Sequence, residues 1–202
     1  MIHKRLLVVI VVPVLAGLLA LAYPWAARSP SQSVESSVQA AAPEAAPVSA
    51  PEFSPNTQWL QSEPLKLADL RGRVVIVQFW TFGCINCIRN YPVYKAWQEK
   101  YAGQALTIIG VHTPEFTNEA DVTRVRAKAR ENGLRFPIAI DNDSRIWKSW
   151  DNHAWPSIYL IDKQGRERFN WEGELHLENA EARQFASRID DFWPRNRTER
   201  LD

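Results

Sequence analysis

The chain has 202 residues, with 24 Lys and Arg against 23 Asp and Glu and a formal net charge of +1 at pH 7. This balance excludes the strong whole-chain field that binding to nucleic acid or to an acidic polymer would require. Only two cysteines are present, three positions apart, so a framework of scattered structural disulfides is excluded as well.

Residues 1–27 predict a signal peptide or a membrane anchor. His-Lys-Arg stands at 3–5 and an apolar run follows at 6–22, which together are typical of an export segment. We expect an anchor, because the run reaches the ~20 residues of a membrane span if it continues through the Tyr-Pro-Trp at 23–25. Cleavage near Ala20-Leu21-Ala22, which would release a soluble exported protein, is the alternative. The basic start predicts a location in the cell inner membrane with the rest of the chain facing the periplasm.

Residues 28–55 are rich in Ala, Pro and Ser and show no hydrophobic periodicity. Such a segment buries too little apolar surface to offset the entropy of ordering it, so it predicts a flexible linker. Residues 56–193 are then expected to form one folded domain, which the polar residues 194–202 follow as a tail.

The domain is predicted to alternate strands and helices. Residues 74–80 form an almost continuous apolar, β-branched run, which is typical of a central strand covered on both faces. The other predicted elements, in chain order, are a short strand and turn at 65–70, a helix at 84–101, a strand at 105–111, a helix at 118–132 capped by Asn118, a strand at 136–140, a short helix at 144–150, a strand at 157–161, a strand at 166–171 after a turn at 163–165, and a final helix whose inner face carries Ala182, Phe185, Ile189 and Phe192. This order predicts an α/β fold, and the closing hairpin makes the sheet mixed.

The motif Cys84-Ile85-Asn86-Cys87 follows the central strand and begins the first helix, which is the arrangement of redox-active cysteine pairs. Only a thiolate attacks a disulfide, and a free thiol with a pKa of about 8.5 is mostly protonated at neutral pH. The positive end of the helix dipole and the unpaired N–H groups of the first turn stabilise the thiolate. We predict that Cys84, nearer the solvent, attacks, and that Cys87, one turn deeper, resolves the mixed disulfide.

A C-x-x-C pair can also be half of a zinc site or an inert structural disulfide. A closed zinc site takes four ligands, and the histidines of the chain, His3, His112, His153 and His176, show no paired spacing. The position after a buried strand favours redox chemistry, and neither a metal nor another cofactor is expected.

Residues 79–92, 109–116 and 155–162 resemble the TlpA-like and DipZ-like thioredoxin domains. They read Phe-Trp-Thr-Phe-Gly-Cys-Ile-Asn-Cys-Ile-Arg-Asn-Tyr-Pro, Ile-Gly-Val-His-Thr-Pro-Glu-Phe and Trp-Pro-Ser-Ile-Tyr-Leu-Ile-Asp. The resemblance covers residues 52–193. It implies a thioredoxin fold with a strand and helix inserted around 118–140, and thiol-disulfide exchange without a cofactor.

The resemblance also implies a substrate-binding side of the site. Pro156 is expected to follow a cis peptide bond and to face the cysteine pair, which leaves the backbone of Trp155 free to pair with a substrate strand. Without the resemblance this dipeptide would be an ordinary loop. Trp80 and Trp155 are expected near the dithiol, either as core residues or as an apolar docking patch.

The sequence departs from the family pattern at three positions around the pair. Gly83 stands where Trp is common, Gln78 where thioredoxins carry a buried acid, and Asn90 where many TlpA-like proteins carry Glu. Both familiar proton acceptors are therefore missing. We expect Glu115 to supply the acid, because it follows the strand whose end should lie beside the end of the central strand. A solvated loop glutamate is the alternative.

The predicted function is extracytoplasmic thiol-disulfide exchange with partner proteins, in the direction that reduces their disulfides. The resemblance implies the reducing direction, since TlpA-like proteins commonly receive electrons from a membrane thiol transporter. Two alternatives come from the residues themselves. Thr81-x-x-Cys84 matches the core of a peroxiredoxin-like peroxidase, although Val77 stands where that family has Pro. The two thiolates with His112 or His153 could instead deliver Cu(I), which soft ligands favour.

Overall fold

The central strand forms at residues 74–80, as their apolar run predicts. The computed structural model describes residues 48–193. Within these residues the strands are β1 Gln58–Leu60, β2 Val74–Trp80, β3 Leu106–His112, β4 Ile138–Ile140, β5 Ser157–Ile161 and β6 Glu167–Glu172, and the α-helices are α1 Ile85–Lys100, α2 Val122–Glu131, α3 Arg145–Ser149 and α4 Ala180–Asp190. Short 3-10 helices form at Leu67–Leu70 and Thr117–Glu119.

The strands make one mixed sheet in the order β1-β4-β3-β2-β5-β6. Strands β4, β3 and β2 run parallel, whereas β5 is antiparallel to β2, β6 to β5 and β1 to β4. Trp80 pairs with His112 at the ends of β2 and β3, so the residues that follow both strands leave the sheet at the same edge. The α/β thioredoxin fold with a mixed sheet is confirmed, and α2 with β4 forms the predicted insertion.

Alternation along β2 divides the core into two clusters. Val74, Ile76 and Trp80 pack on one face with side chains of α1, α2 and α4. Val75, Val77 and Phe79 pack on the other face with side chains of α3 and with Phe53 and Leu67. Because both faces of β2 are covered, its side chains need not alternate between apolar and polar, which explains the unbroken run in the sequence.

Two predicted elements differ from the structure by more than a residue or two at their ends. Residues 65–70 contain the 3-10 helix Leu67–Leu70 rather than a strand, and the edge strand is instead β1, whose three residues are too few to show a period. The predicted helix at 118–132 begins only at Val122, because Asp121 caps it by accepting hydrogen bonds from the N–H groups of Thr123 and Arg124. Asn118 lies in the preceding 3-10 helix.

Residues 48–55, assigned to the linker from composition, pack against the domain. Phe53 is buried, Ser49 pairs with Arg166, and the carboxylate of Glu52 accepts hydrogen bonds from the backbone of Leu67 and Ala68. The predicted signal or anchor segment, the linker up to residue 47 and the tail at 194–202 lie outside the described residues. None of the helices within 48–193 combines the length and apolarity that a membrane crossing requires.

A buried aspartate joins the loop after β3 to α3. Asp141 accepts hydrogen bonds from the N–H groups of Ile146 and Trp147, each at 2.9 Å, and from the hydroxyl of Thr113 at 2.9 Å. It thereby caps α3, whose formal N-cap Ser144 makes no side-chain hydrogen bond. Thr113 in turn accepts the indole N–H of Trp155, so Asp141 positions one wall of the candidate site.

We expect Asp141→Ala to lower the free energy of unfolding by about 2–4 kcal/mol, because it leaves three donors without their acceptor in a buried region. Denaturant unfolding followed by tryptophan fluorescence measures this. Asp69→Ala, at an exposed aspartate, is the matched control and should stay within about 0.5 kcal/mol of the parent chain. Equal effects of the two substitutions would contradict this role of Asp141.

Candidate dithiol active site

Cys84 is the N-cap of α1. Its backbone is extended, with φ −76° and ψ 111°, and its sulfur accepts a hydrogen bond from the N–H of Cys87 at 3.2 Å. The side chain is half-buried, whereas Ile85 beside it is 56% exposed. The attacking sulfur predicted from the sequence therefore lies at the positive end of the helix and within reach of solvent.

The surroundings of Cys84 make its thiol acidic. The hydrogen bond from the thiol of Cys87 contributes most, and the N–H groups of Cys87 and Asn86 add to it. Burial and the charge of Glu115 oppose these effects. Together they lower the pKa of Cys84 to about 7, so roughly half of the thiol is ionised at neutral pH.

Cys87 has the opposite environment. Its side chain is 1% exposed, and burial raises the pKa of its thiol far above the ordinary value, with the neighbouring Cys84 adding to the rise. A hydrogen bond from the N–H of Thr81 opposes this rise. Cys87 therefore keeps its proton while Cys84 ionises, which is the division of roles that the sequence predicts.

A buried polar cluster lies under the turn that carries Cys84. Glu119 is 3% exposed, and its Oε2 accepts a hydrogen bond from the hydroxyl of Thr81 at 2.8 Å. The N–H groups of Glu115 and Phe116 donate to the same oxygen at 2.8 and 3.2 Å. Sequence reasoning missed Glu119, because a single glutamate ahead of a helix resembles an ordinary helix-start residue.

His112 completes this cluster. It is fully buried, and burial lowers the pKa of its imidazole to about 4. Its Nε2 lies 3.3 Å from the hydroxyl oxygen of Thr81. Because Thr81 donates its only hydroxyl proton to Glu119, the neutral His112 must carry its own proton on Nε2 and donate to Thr81.

The two tryptophans predicted at the site have different positions. Trp80 is fully buried and packs edge-on against Tyr91 and His112, with ring centroids 6.0 and 5.1 Å apart. With no exposed surface, Trp80 occupies the core position that is one of its two expected roles, and the substrate contact expected of it stays a prediction. Trp155 is half-buried, with its ring centroid 4.0 Å from that of Trp147.

The peptide bond between Trp155 and Pro156 is cis, as the resemblance implies. The indole N–H of Trp155 donates to the carbonyl of Thr113 at 3.0 Å, which ties this loop to the end of β3. Pro156 is buried, and Trp155 packs against the core cluster that contains Cys87. The contact of these two residues with a substrate strand stays a prediction.

Glu115 is exposed, and its charge raises the pKa of both cysteine thiols. Its role as a proton acceptor stays a prediction. Gln78 and Asn90, which replace the two acids of related domains, are both fully buried. Asn90 binds the loop before α4, since its oxygen accepts the N–H of Leu175 at 2.6 Å and its amide donates to the carbonyl of Gly173.

The copper-delivery alternative lacks a third ligand in the residues that the structure covers. No group of three or more His, Cys, Asp or Glu side chains there is arranged to hold a metal ion. His112 is buried, and its ring is hydrogen-bonded to Thr81. His153 is exposed, and its Nε2 lies 3.5 Å from Oδ1 of Asp151.

The fold and the cysteine pair at the start of α1 define a thioredoxin-fold protein with a helix-capping dithiol. Its family follows from a match to residues 48–168: the chain belongs to the AhpC/TSA family. Protein DipZ of Mycobacterium bovis is 41% identical over 115 residues, which make up 55% of this chain and 16% of DipZ. This chain thus spans less than a fifth of that relative, and the resemblance to DipZ-like domains is confirmed.

Two further similar proteins are matched over a larger share of their own length. Thiol-disulfide oxidoreductase YkuV of Bacillus subtilis is 26% identical over 117 residues, 58% of this chain and 78% of YkuV. The crystal structure of the thioredoxin-like superfamily protein SPOA0173 superposes with a TM-score of 0.64 at 23% identity, over 72% of this chain and 96% of that one. At this identity the structural match supports the fold alone.

We expect the two thiols of the reduced chain to titrate far apart. The alkylation rate of Cys84 should reach half of its maximum near pH 7, because the thiolate is stabilised by the helix start. Cys87 should stay protected from alkylation through pH 9, because it is buried. In Cys87→Ala, which removes the strongest donor, the midpoint of Cys84 should rise toward the ordinary value of about 8.5. Rapid alkylation at a series of pH values, quantified by mass spectrometry at each cysteine, measures both.

Two results would contradict this assignment. Both cysteines could react together with a midpoint above pH 8.5, or Cys87→Ala could leave the midpoint of Cys84 where it is in the parent chain.

Proposed function

We propose that the chain is a thiol-disulfide oxidoreductase that reduces disulfides of partner proteins through Cys84 and Cys87. The observation that carries this proposal is the contrast between the two sulfurs: Cys84 caps α1 with a pKa of about 7, and Cys87 is buried and protonated. The name of YkuV, a thiol-disulfide oxidoreductase, supports the same chemistry.

The first step is attack on the partner's disulfide. The thiolate of Cys84 displaces one sulfur of that disulfide, which leaves as a thiolate and takes a proton from water, and a mixed disulfide forms between Cys84 and the partner. The cis loop at Trp155 and Pro156 would hold the partner strand beside Cys84. The exposed side chain of Ile85 offers apolar surface next to the attacking sulfur.

The second step releases the reduced partner. Cys87 gives its proton to Glu115, the proposed acceptor, and attacks the sulfur of Cys84. The bond between Cys84 and the partner breaks, and the second thiolate of the partner leaves and takes up a proton. The partner has then gained two electrons, and the chain holds an intramolecular disulfide. A membrane dithiol carrier is the proposed electron donor that restores the dithiol.

The peroxidase alternative has two observations in its favour, the family match at residues 48–168 and Thr81 three positions before Cys84. The hydroxyl of Thr81, however, donates to Glu119, so it is not directed at the sulfur of Cys84. Peroxide consumption at a rate far above that of a free thiol would favour the peroxidase.

The proposed location is the outer face of the inner membrane. The basic residues 3–5 and the apolar run at 6–22 support an anchor that leaves the domain in the periplasm. In cells that express the full-length chain, we expect it in the membrane fraction and open to protease added to spheroplasts. Protection of the domain in intact spheroplasts would contradict this location.

We expect Cys87→Ala to accumulate mixed disulfides with partner proteins, because the resolving sulfur is gone while the exposed, attacking sulfur of Cys84 remains. Non-reducing electrophoresis with mass spectrometry identifies the trapped partners. Cys84→Ala is the matched control: it keeps one thiol, the buried one, and should trap nothing and reduce disulfides only at the background rate. If the two variants trap the same amount, the assignment of roles is wrong.

A further inference from the structure

The proposed exchange leaves one buried acid at the site without a role. Glu119 joins the loop after β3 to the turn before α1, through the hydroxyl of Thr81 and the N–H groups of Glu115 and Phe116. These three donors compensate much of the cost of burying a carboxylate.

The carboxylate comes unusually close to the backbone beside the attacking cysteine. A Cβ on residue 83 would overlap Oε1 of Glu119. Gly83 does not have a positive φ, so a larger residue here would displace the carboxylate of Glu119 rather than strain the backbone. The contact places a carboxylate oxygen against the residue that immediately precedes Cys84.

Thr81 links the same carboxylate to both sulfurs. Its hydroxyl donates to Glu119, its carbonyl accepts the N–H of Cys84 at 3.3 Å, and its own N–H is directed at the sulfur of Cys87. The carboxylate of Glu119 is therefore hydrogen-bonded to the residue, Thr81, whose backbone is in turn hydrogen-bonded to Cys84 and Cys87.

Three ionisable side chains lie on the segments around this carboxylate. His112 is neutral at physiological pH. Glu115 is exposed, and its own charge also raises the pKa of Cys84. The guanidinium of Arg124 lies 5.0 Å from the ring centre of Phe82 and donates to the carbonyl of Asn118. Among residues 48–193, Glu119 takes part in no salt bridge of 4 Å or less. Its charge is therefore not cancelled by direct pairing.

We propose that Glu119 is a positioning residue of the dithiol site, whose negative charge restrains ionisation of Cys84 and makes the cysteine pair a stronger reductant. This inference rests on the proposed function. A nearby negative charge disfavours a thiolate, whereas the disulfide is uncharged. The charge therefore destabilises the reduced form relative to the oxidised form, the reverse of the stabilised dithiol that makes a strong oxidant. In this respect Glu119 takes the place of the acids missing at Gln78 and Asn90.

Glu119→Gln removes the charge and keeps the shape, since its amide oxygen can still accept from Thr81 and the two backbone N–H groups. In the full-length chain we expect the pH at which Cys84 is half ionised to fall by about one unit. At pH 8 the equilibrium with dithiothreitol should shift about tenfold toward the dithiol form of the chain. This corresponds to a reduction potential of the cysteine pair that is about 30 mV less negative. Glu131→Gln, at an exposed glutamate paired with Lys128, is the control and should change neither value.

The outcomes separate this inference from the proposed function. A folded Glu119→Gln chain with both values unchanged overturns the role of Glu119 and leaves the exchange chemistry intact. A lower melting temperature without any change in thiol titration has the same meaning, since it shows a purely structural role. If the parent chain itself forms no disulfide between Cys84 and Cys87, the proposed function fails instead.

The parent chain offers a second test that needs no folded Glu119 variant. The side-chain carboxyl carbon of Glu119, observed by NMR in the reduced chain, should show a step in its chemical shift at the pH where Cys84 ionises, because coupling between two sites is reciprocal. The step should vanish in Cys84→Ala. A resonance that shows no step at that pH would overturn the inference.

Discussion

The hydrogen-bonded contact of Cys87 with the sulfur of Cys84, through its thiol and its N–H, is the interaction on which the site depends. It exists because β2 ends at Trp80, the chain turns through Thr81, and Cys84 keeps an extended backbone while Ile85 begins α1. That geometry directs the free N–H groups of the first helical turn at one sulfur and places the other sulfur in the core. The same four-residue motif thus contains one acidic thiol and one buried thiol that keeps its proton.

The packing of the domain positions this junction. Covering both faces of β2 fixes the position at which the strand ends, and Asp141 fixes the loop that carries Thr113 and holds Trp155. The edge of the sheet where β2 and β3 end then gathers the turn before α1 and the loop that leads to Glu119. Residues distant in sequence meet there without any long-range disulfide.

Local signals are enough to predict an α/β fold with a mixed sheet and to single out the two cysteines, whereas the thioredoxin fold follows from the resemblance. The apolar run at 74–80, the C-x-x-C that follows it and the turn at 163–165 each depend on neighbouring residues, and the mixed sheet follows from their order. The prediction was weaker where a partner lies far along the chain. Glu115 was singled out for its place after β3, but Glu119, four residues later, is the buried acid, because its partner Thr81 is 38 positions away.

Of the three departures at Gly83, Gln78 and Asn90, the structure explains the one at Gly83. Gly83 leaves space for the carboxylate of Glu119, and the two amides stand where related domains have acids. A carboxylate that approaches from the insertion can only be identified once the loop before α2 is placed against the turn before α1. No period, spacing or composition encodes that approach.

The reaction of the reduced chain with a chromogenic aryl disulfide, followed from pH 5 to pH 9, tests the central claim most directly. Attack by the acidic sulfur releases one aryl thiolate and closure of the internal disulfide releases a second. We expect two aryl thiolates per chain and a rate that levels off above a midpoint near pH 7. A rate that keeps rising through pH 8.5, as for an ordinary thiol, with a single aryl thiolate released, would contradict it.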